Sequence, residues 1–277
     1  MGACTAYFLS KKGLSVTIVE QSSVASAASG KAGGFLASDW SDSSPLGPLS
    51  RASFRLHQEL AEELDGMETY GYRPLQTLTL NVQEPDSDEV KHLPHAATAS
   101  SLIPPWIDGD ATVLSASTLG STATTAQVHP LLFTRALVSA AMERWGARLL
   151  IGKLDKVSVG TGTSKVSSVV IDGGTSVSAD IVVLAMGPWS SRDAILSSLT
   201  TRISGVKAHS VVLRPRHSTD AISPHALFLK YRTRDGKSLD PEVYPRPSGE
   251  VYICGMSEEE NVDVPESGRP FVHPSHG

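Results

Sequence analysis

The alternation of apolar and polar positions changes period several times along the chain, and each change marks an element. In residues 2–13, Gly2, Ala6, Leu9 and Gly13 recur at helical spacing, so a helix there presents a small-then-apolar stripe to a sheet. Ser15-Val16-Thr17-Ile18-Val19-Glu20 follows as a short β-branched strand ending in a carboxylate. Helix, Gly turn, buried strand and terminal acid match the second half of a nucleotide-binding βαβ unit, in which the acid accepts hydrogen bonds from a ribose. Gly2 takes the place of the third glycine of that turn, the one that allows close helix-to-strand packing. The expectation is a Rossmann-like α/β sheet lacking its first strand and the two earlier glycines. An ordinary αβ pair accounts for the same pattern. An N-myristoylation signal does not, because Ala6 stands where Ser or Thr is needed.

Small residues then dominate from Ser22 to Gly34, with Ala28-Ser29-Gly30-Lys31-Ala32-Gly33-Gly34 at the centre. Placed just after the strand's carboxylate, such a loop passes over the carboxyl ends of parallel strands. Its free N–H groups and the lysine suit an anionic cofactor. Leu49, Leu56, Leu60 and Leu64 predict an amphipathic helix closing near Gly66, and residues 75–82 alternate as a strand. From about 83 to 125, Pro, Ser, Thr and Asp predominate without strong periodicity, which predicts loops and short elements of a covering domain.

His129-Pro130 opens a helix carrying Leu131, Leu132, Phe133, Ala136, Leu137, Ala140 and Ala141 and closing at Trp145-Gly146. A strand from Ala147 to Ile151 and an antiparallel meander turning at Asp172-Gly173-Gly174 come next. The apolar run after Ala179-Asp180 ends at Ala185-Met186-Gly187-Pro188-Trp189-Ser190. It reads as a buried parallel strand running into a tight turn beneath a ligand. Beyond Thr201, strands at 206–213 and 226–231 and a pair around Ser248-Gly249 predict a mostly antiparallel sheet. The tail from Glu258 shows no periodic pattern and is expected to be disordered.

Composition narrows the function classes. The 277 residues carry a formal net charge of −5, so no basic footprint for nucleic acid exists. No apolar run reaches a membrane span, and the start lacks a secretory layout. Cys4 and Cys254 are too few for a disulfide framework, which favours a reducing compartment, cytoplasmic or organellar. No Cys/His cluster has zinc-ligand spacing, so no metal is expected.

In order, Gly2 to Glu20, the 28–34 loop, Gln127-Val128-His129-Pro130, the 179–190 segment and Tyr244-Pro245-Arg246-Pro247 resemble the FAD-dependent oxidoreductases of the D-amino-acid oxidase, glycine oxidase and sarcosine oxidase superfamily. The resemblance covers most of the chain. It implies an FAD/NAD(P)-binding Rossmann-like domain from residues 1–40 and 125–200, interrupted by a substrate domain from 41–124 and 201–257. It also implies that Glu20 holds the adenosine ribose and that Gly2 and the helix start face the pyrophosphate. Ser29, Gly30, Lys31, Gly33 and Gly34 would run beside pyrophosphate and flavin. Leu154 would lie near the adenine, and Ala185, Gly187 and Trp189 would close over the nucleotide. A small amine or amino acid would give a hydride to the flavin, with oxygen or another acceptor reoxidising it. Arg246 would pair with a substrate carboxylate, with Tyr244 beside it; an ordinary surface arginine is the alternative.

The resemblance further implies truncation at both ends, since the family's glycine-rich turn and its later Gly-His helix are wanting. Two other readings stay open at this point. One is a fragment with impaired FAD binding that acts at most as an interaction protein. The other is an NAD(P)-dependent dehydrogenase, which calls for repeated βα units after Glu20.

Overall fold

A computed structural model describes residues 1–84, 102–107, 112–160, 162, 165–192, 203, 205–215 and 222–262. In chain order the elements are α1 (Gly2–Lys11), β1 (Thr17–Glu20), α2 (Ala28–Lys31), β2 (Phe35–Ala37), α3 (Gly47–Glu63), α4 (Gly66–Tyr70), β3 (Arg73–Pro74), β4 (Gln76–Gln83), β5 (Thr112–Gly120) and β6 (Thr125–Gln127). There follow α5 (Pro130–Trp145), β7 (Arg148–Ile151), β8 (Leu154–Val159), β9 (Val166–Ile171), β10 (Thr175–Ser178) and a 3-10 turn at Gly187–Arg192. The last elements are β11 (Gly205–Leu213), β12 (His225–Arg232), β13 (Ser238–Leu239), β14 (Glu242–Pro245) and β15 (Val251–Val262). The chain forms two compact units, one from the described residues of 1–32, 130–206 and 260–277, the other from those of 33–129 and 207–259.

In the first unit, α1 stops at Gly13, whose φ of 83° is the left-handed conformation a glycine adopts without strain. Two backbone bonds close the helix there, Gly13 N–H to Ser10 O at 2.9 Å and Leu14 N–H to Leu9 O at 3.1 Å. The reversed chain enters β1, which pairs in parallel with β7 from Thr17↔Arg148 to Glu20↔Ile151. Helix α1 packs along α5, where Tyr7 is fully buried and meets the rings of Phe8 and Trp145 edge-on, each 5.1 Å away. Behind β1 and β7, the β8–β9–β10 meander contributes Val157, Val169 and Ile171 to a core that also takes Val19, Leu150, Val182 and Leu184.

The segment expected as a buried parallel strand departs from that reading. Residues 181–186 have no strand partner among the described residues; Val182 and Leu184 pack inward, while Ile181 and Val183 are 76% and 56% exposed. A strand is held by its neighbours' backbone groups. With α1 beginning at Gly2, the described residues supply no strand to run between β1 and this segment.

The second unit has a seven-stranded sheet ordered β11-β15-β14-β12-β4-β5, with β13 pairing β12, and a three-stranded sheet ordered β2-β6-β3. Strands β12 and β4 run parallel over eight residues from His225↔Gln76 to Arg232↔Gln83, whereas β12 with β13 and β14, β14 with β15, β4 with β5, and β6 with β2 and β3 pair antiparallel. Leu78, Leu80, Leu227 and Val243 form the core on this sheet. Helix α3 buries Phe54, Leu60 and Ala61 with Leu64 just beyond its end, so the leucine stripe names only part of its inner face; Leu49 and Leu56 are exposed.

Two further expectations need correction. The stretch taken as aperiodic contains β5, a nine-residue strand held to β4 through two register shifts, and those irregularities blur its period of two. Strand β15 continues past Glu258 to Val262, extending beyond its pairing with β14, which runs from Pro245↔Val251 to Glu242↔Cys254. The rest of the expected disordered tail, 263–277, lies outside the described residues, as do 85–101 and 108–111.

Candidate functional site

Glu20 ends β1 at its carboxyl edge, opposite Ile151 of β7. Its Oε1 accepts the Ser22 N–H at 3.1 Å, which leaves carboxylate lone pairs to accept hydroxyl groups. Helix α1 has no side-chain cap: Thr5 N–H is the first to bond back, to Met1 O at 3.0 Å, so the N–H groups of the first turn remain available at the positive end of the helix dipole. Gly2 is held close to the 181–186 segment, since a Cβ built on it would stand 3.2 Å from the Ala185 Cβ. A strand-end carboxylate and an uncapped helix start, both in the first unit, are groups of the kind that fit the ribose hydroxyls and pyrophosphate of a dinucleotide.

The small-residue loop divides. Ser29, Gly30 and Lys31 belong to α2, which packs against α5 in the first unit. Gly30 is required by close approach: a Cβ there would lie 2.0 Å from the Ala25 carbonyl oxygen and 3.0 Å from Leu131 Cδ1. Gly33 and Gly34 belong to the second unit, where a Cβ on Gly33 would meet the Tyr244 ring at 2.6 Å and the Gly34 carbonyl accepts the Val128 N–H at 2.9 Å. Leu154 opens β8, pairing with Ile171 and packing on the first unit's core. Gly187, at a φ of 57°, opens the 3-10 turn that contains Trp189.

Tyr244 and Arg246 are brought onto one side of the chain end of β14, and both are buried. Tyr244 lies in an aromatic cluster, stacked with Phe35 at 5.6 Å and with Tyr252 at 6.3 Å, while Phe228 stands edge-on at 5.9 Å. Its O–H donates to Glu242 Oε2 at 2.5 Å, and burial together with that carboxylate pushes the phenol well above its ordinary value. Cys254 contacts the same oxygen at 3.5 Å, and burial, then Glu242, raises its thiol to about 11, so this cysteine is an inert thiol at neutral pH. The Arg246 guanidinium pairs with Glu250 at 3.4 Å and lies over the Tyr252 ring at 5.1 Å. It is therefore no ordinary surface arginine: its side chain is 8% exposed.

Sequence reasoning missed Arg73 and undervalued Gln127 and His129. Arg73 Nη2 and Gln127 Nε2 both donate to the Pro245 carbonyl at 2.7 Å, bracing the peptide that carries Arg246. Pro74 beside Arg73 was the available signal, since a proline on a very short strand marks an irregular, edge-like position.

The matching family model is that of the FAD-dependent oxidoreductases, DAO, over residues 1–274. The chain belongs to this family. A Saccharomyces cerevisiae protein named as an oxidoreductase, TDA3, is 28% identical over 396 aligned positions, covering 96% of this chain and 73% of that protein. A Schizosaccharomyces pombe oxidoreductase by name is 29% identical over 263 positions, covering 88% of this chain and 63% of its own length. The glycine oxidase of Bacillus cereus shares the fold at a TM-score of 0.67 and 22% identity, over 96% of this chain and 73% of that one. Membership of an FAD family removes the NAD(P)-dependent reading. As a DAO-family chain, it also has among its described residues no helix long and apolar enough to cross a membrane.

The pH response of the second unit follows from its histidines. Burial holds His57, His129 and His225 below the ordinary imidazole value of 6.5, with Arg246 adding to the effect at His129 and Glu250 opposing it. As the pH falls, the unfolded chain therefore binds protons before the folded one. Stability contributed above pH 6.5 is lost as the pH drops through the folded-state values. Urea unfolding of this DAO-family protein should show a lower midpoint at about pH 5 than at about pH 7.5. An unchanged or higher midpoint would contradict the burial of these imidazoles.

Proposed function

We propose that this DAO-family protein binds FAD in its first unit and oxidises a small amine or amino acid, with oxygen or another acceptor receiving the electrons. The observation that carries the reading is Glu20 at the carboxyl end of a parallel strand together with the uncapped start of α1. When bound, FAD supplies the electron sink for a hydride leaving the carbon that bears the amine.

The chain's own residues hold and orient. Glu20 accepts the adenosine ribose hydroxyls. The α1 N–H groups from Gly2 onward meet the pyrophosphate, and Ser29, Gly30 and Lys31 add donors and a positive charge for it. Leu154 contributes backbone groups toward the adenine, and Ala185, Gly187 and Trp189 border the nucleotide. In the second unit Arg246 attracts the substrate carboxylate. Tyr244 contributes its ring face, its O–H being committed to Glu242. The relatives' names support the class of reaction, one of them being a glycine oxidase.

The purified protein should be yellow, should bleach anaerobically on addition of glycine or another small amino acid, and should recover its colour in air. A colourless protein that gains no thermal stability from added FAD would overturn the cofactor assignment. Flavin that no small amine or amino acid bleaches would overturn the substrate class alone.

A further inference from the structure

A turn at residues 102–107 packs on the seven-stranded sheet of the second unit, against the core of Leu78, Leu80, Leu227 and Val243. Ile107 N–H donates to Pro104 O at 3.0 Å and closes it. Pro104 is buried, and Trp106 and Ile107 lay their side chains on that core. A polar contact joins the apolar one. Trp106 Nε1–H donates to Ser223 Oγ at 3.0 Å, and Ser223 Oγ stands 2.9 Å from His225 Nδ1. Two stretches of chain 117 residues apart thus meet in one hydrogen-bonded row.

The direction of that row follows from its first member. An indole nitrogen only donates, so Ser223 Oγ accepts from Trp106 and keeps its own hydrogen to give. Among the described residues, its acceptor is His225 Nδ1. That nitrogen is therefore bare, and the imidazole is neutral with its proton on Nε2.

The surroundings of His225 offer no compensation for a charge. Gln76 of β4 stands opposite it in the parallel register, Leu227 is next on the same face of β12, Val243 of β14 lies opposite Leu227, and the turn supplies Trp106. None of these side chains titrates. Burial alone lowers the His225 pKa from 6.5, with no carboxylate opposing it. A proton on Nδ1 would meet the Ser223 hydrogen head-on, turn that hydroxyl away from its acceptor and leave an unpaired cation beside apolar side chains. Lifting the turn off the sheet lets water reach the cation.

We infer that Trp106, Ser223 and His225 form a proton-operated latch, which holds the 102–107 turn on the sheet while the imidazole is neutral and frees it when the imidazole is charged. The linkage has a definite sign. The held form disfavours the charged imidazole, so the released form binds the proton more tightly and acid favours release. All three residues lie in the second unit, and the latch needs no bound FAD.

In the test, the full chain is labelled with fluorotryptophan, and Trp106→Phe identifies the Trp106 fluorine signal. Between about pH 7.5 and about pH 5 that signal should move to a solvent-exposed position, read by its response to heavy water, while the far-UV circular dichroism stays unchanged. The midpoint should lie below 6.5 and coincide with the titration of the His225 ring protons. His225→Gln keeps a side-chain oxygen for the Ser223 hydroxyl and takes up no proton, so its Trp106 signal should hold its position throughout. Ser223→Ala removes the middle of the row, and its Trp106 should already be more solvent-exposed at about pH 7.5. A Trp106 signal that stays put in the wild-type chain, that moves as far in His225→Gln, or whose midpoint departs from that of the His225 ring would overturn the latch. Movement that appears only with loss of the circular dichroism would overturn it too, being unfolding of the whole unit. If His225→Gln does not fold, the shared midpoint in the wild-type chain and the Ser223→Ala signal decide the matter.

Discussion

Replacing Glu20 with alanine should raise the dissociation constant for FAD about 10- to 100-fold, the equivalent of roughly 1.5–3 kcal/mol for hydrogen bonds made to a charged acceptor. The strand delivers this carboxylate at the end of β1, and its one described bond is to the Ser22 N–H. Because Glu20 is only half-buried and makes no ion pair among the described residues, unfolding without FAD should change by no more than about 0.5 kcal/mol. Titration of the flavin-free protein, read by quenching of flavin fluorescence, measures the first effect, and urea unfolding measures the second. Glu20→Gln should fall between alanine and wild type, since it keeps an acceptor and loses the charge. An affinity changed by less than about threefold in Glu20→Ala would separate this carboxylate from cofactor binding.

Leu137→Ala should cost about 2–5 kcal/mol, the range for removing a fully buried leucine from a packed core. Leu137 is 0% exposed on α5, the helix that α1 packs along. Leu80→Ala, at a residue 1% exposed on β4, should cost a similar amount in the other unit. The two substitutions differ in where the loss is felt. Hydrogen exchange should quicken across α1, β1 and α5 in Leu137→Ala and across β4, β5 and β12 in Leu80→Ala. FAD affinity should fall only in Leu137→Ala, because the proposed ribose and pyrophosphate groups depend on α1 and β1. A cost below about 1 kcal/mol for either would contradict the packing described for that leucine.

Much of the secondary structure was legible because its signals are local. The Gly13 stop, the β-branched run to Glu20, the Pro130 start and the Asp172-Gly173-Gly174 turn each act through backbone preferences of a few neighbouring residues. Where reasoning failed, the deciding partner was distant. The 181–186 run has the composition of a buried strand, yet among the described residues it has no strand beside it to pair with. Strand β15 runs on to Val262 through an acidic, unpatterned end that shows no period of two. The register shifts of β5 hid a regular strand inside a polar stretch.

The candidate site divides in the same way. By itself the sequence marked the family, through five separated segments taken in order, and the Rossmann-like character of the first unit, because the helix start at Gly2 and the strand end at Glu20 depend on spacing within a single helix–turn–strand unit. It also marked Arg246, but not whether that arginine is exposed or buried. Only the tertiary structure decided that Arg246 is buried against Tyr252 and held by Glu250, that Tyr244 spends its O–H on Glu242, and that Gly33 is needed to admit the Tyr244 ring. It alone joined Arg73 and Gln127, 172 and 118 residues before Pro245 respectively, at that residue's carbonyl. Burial, charge pairing and unmet hydrogen bonds are properties of groups that meet across such separations, and no local pattern encodes them.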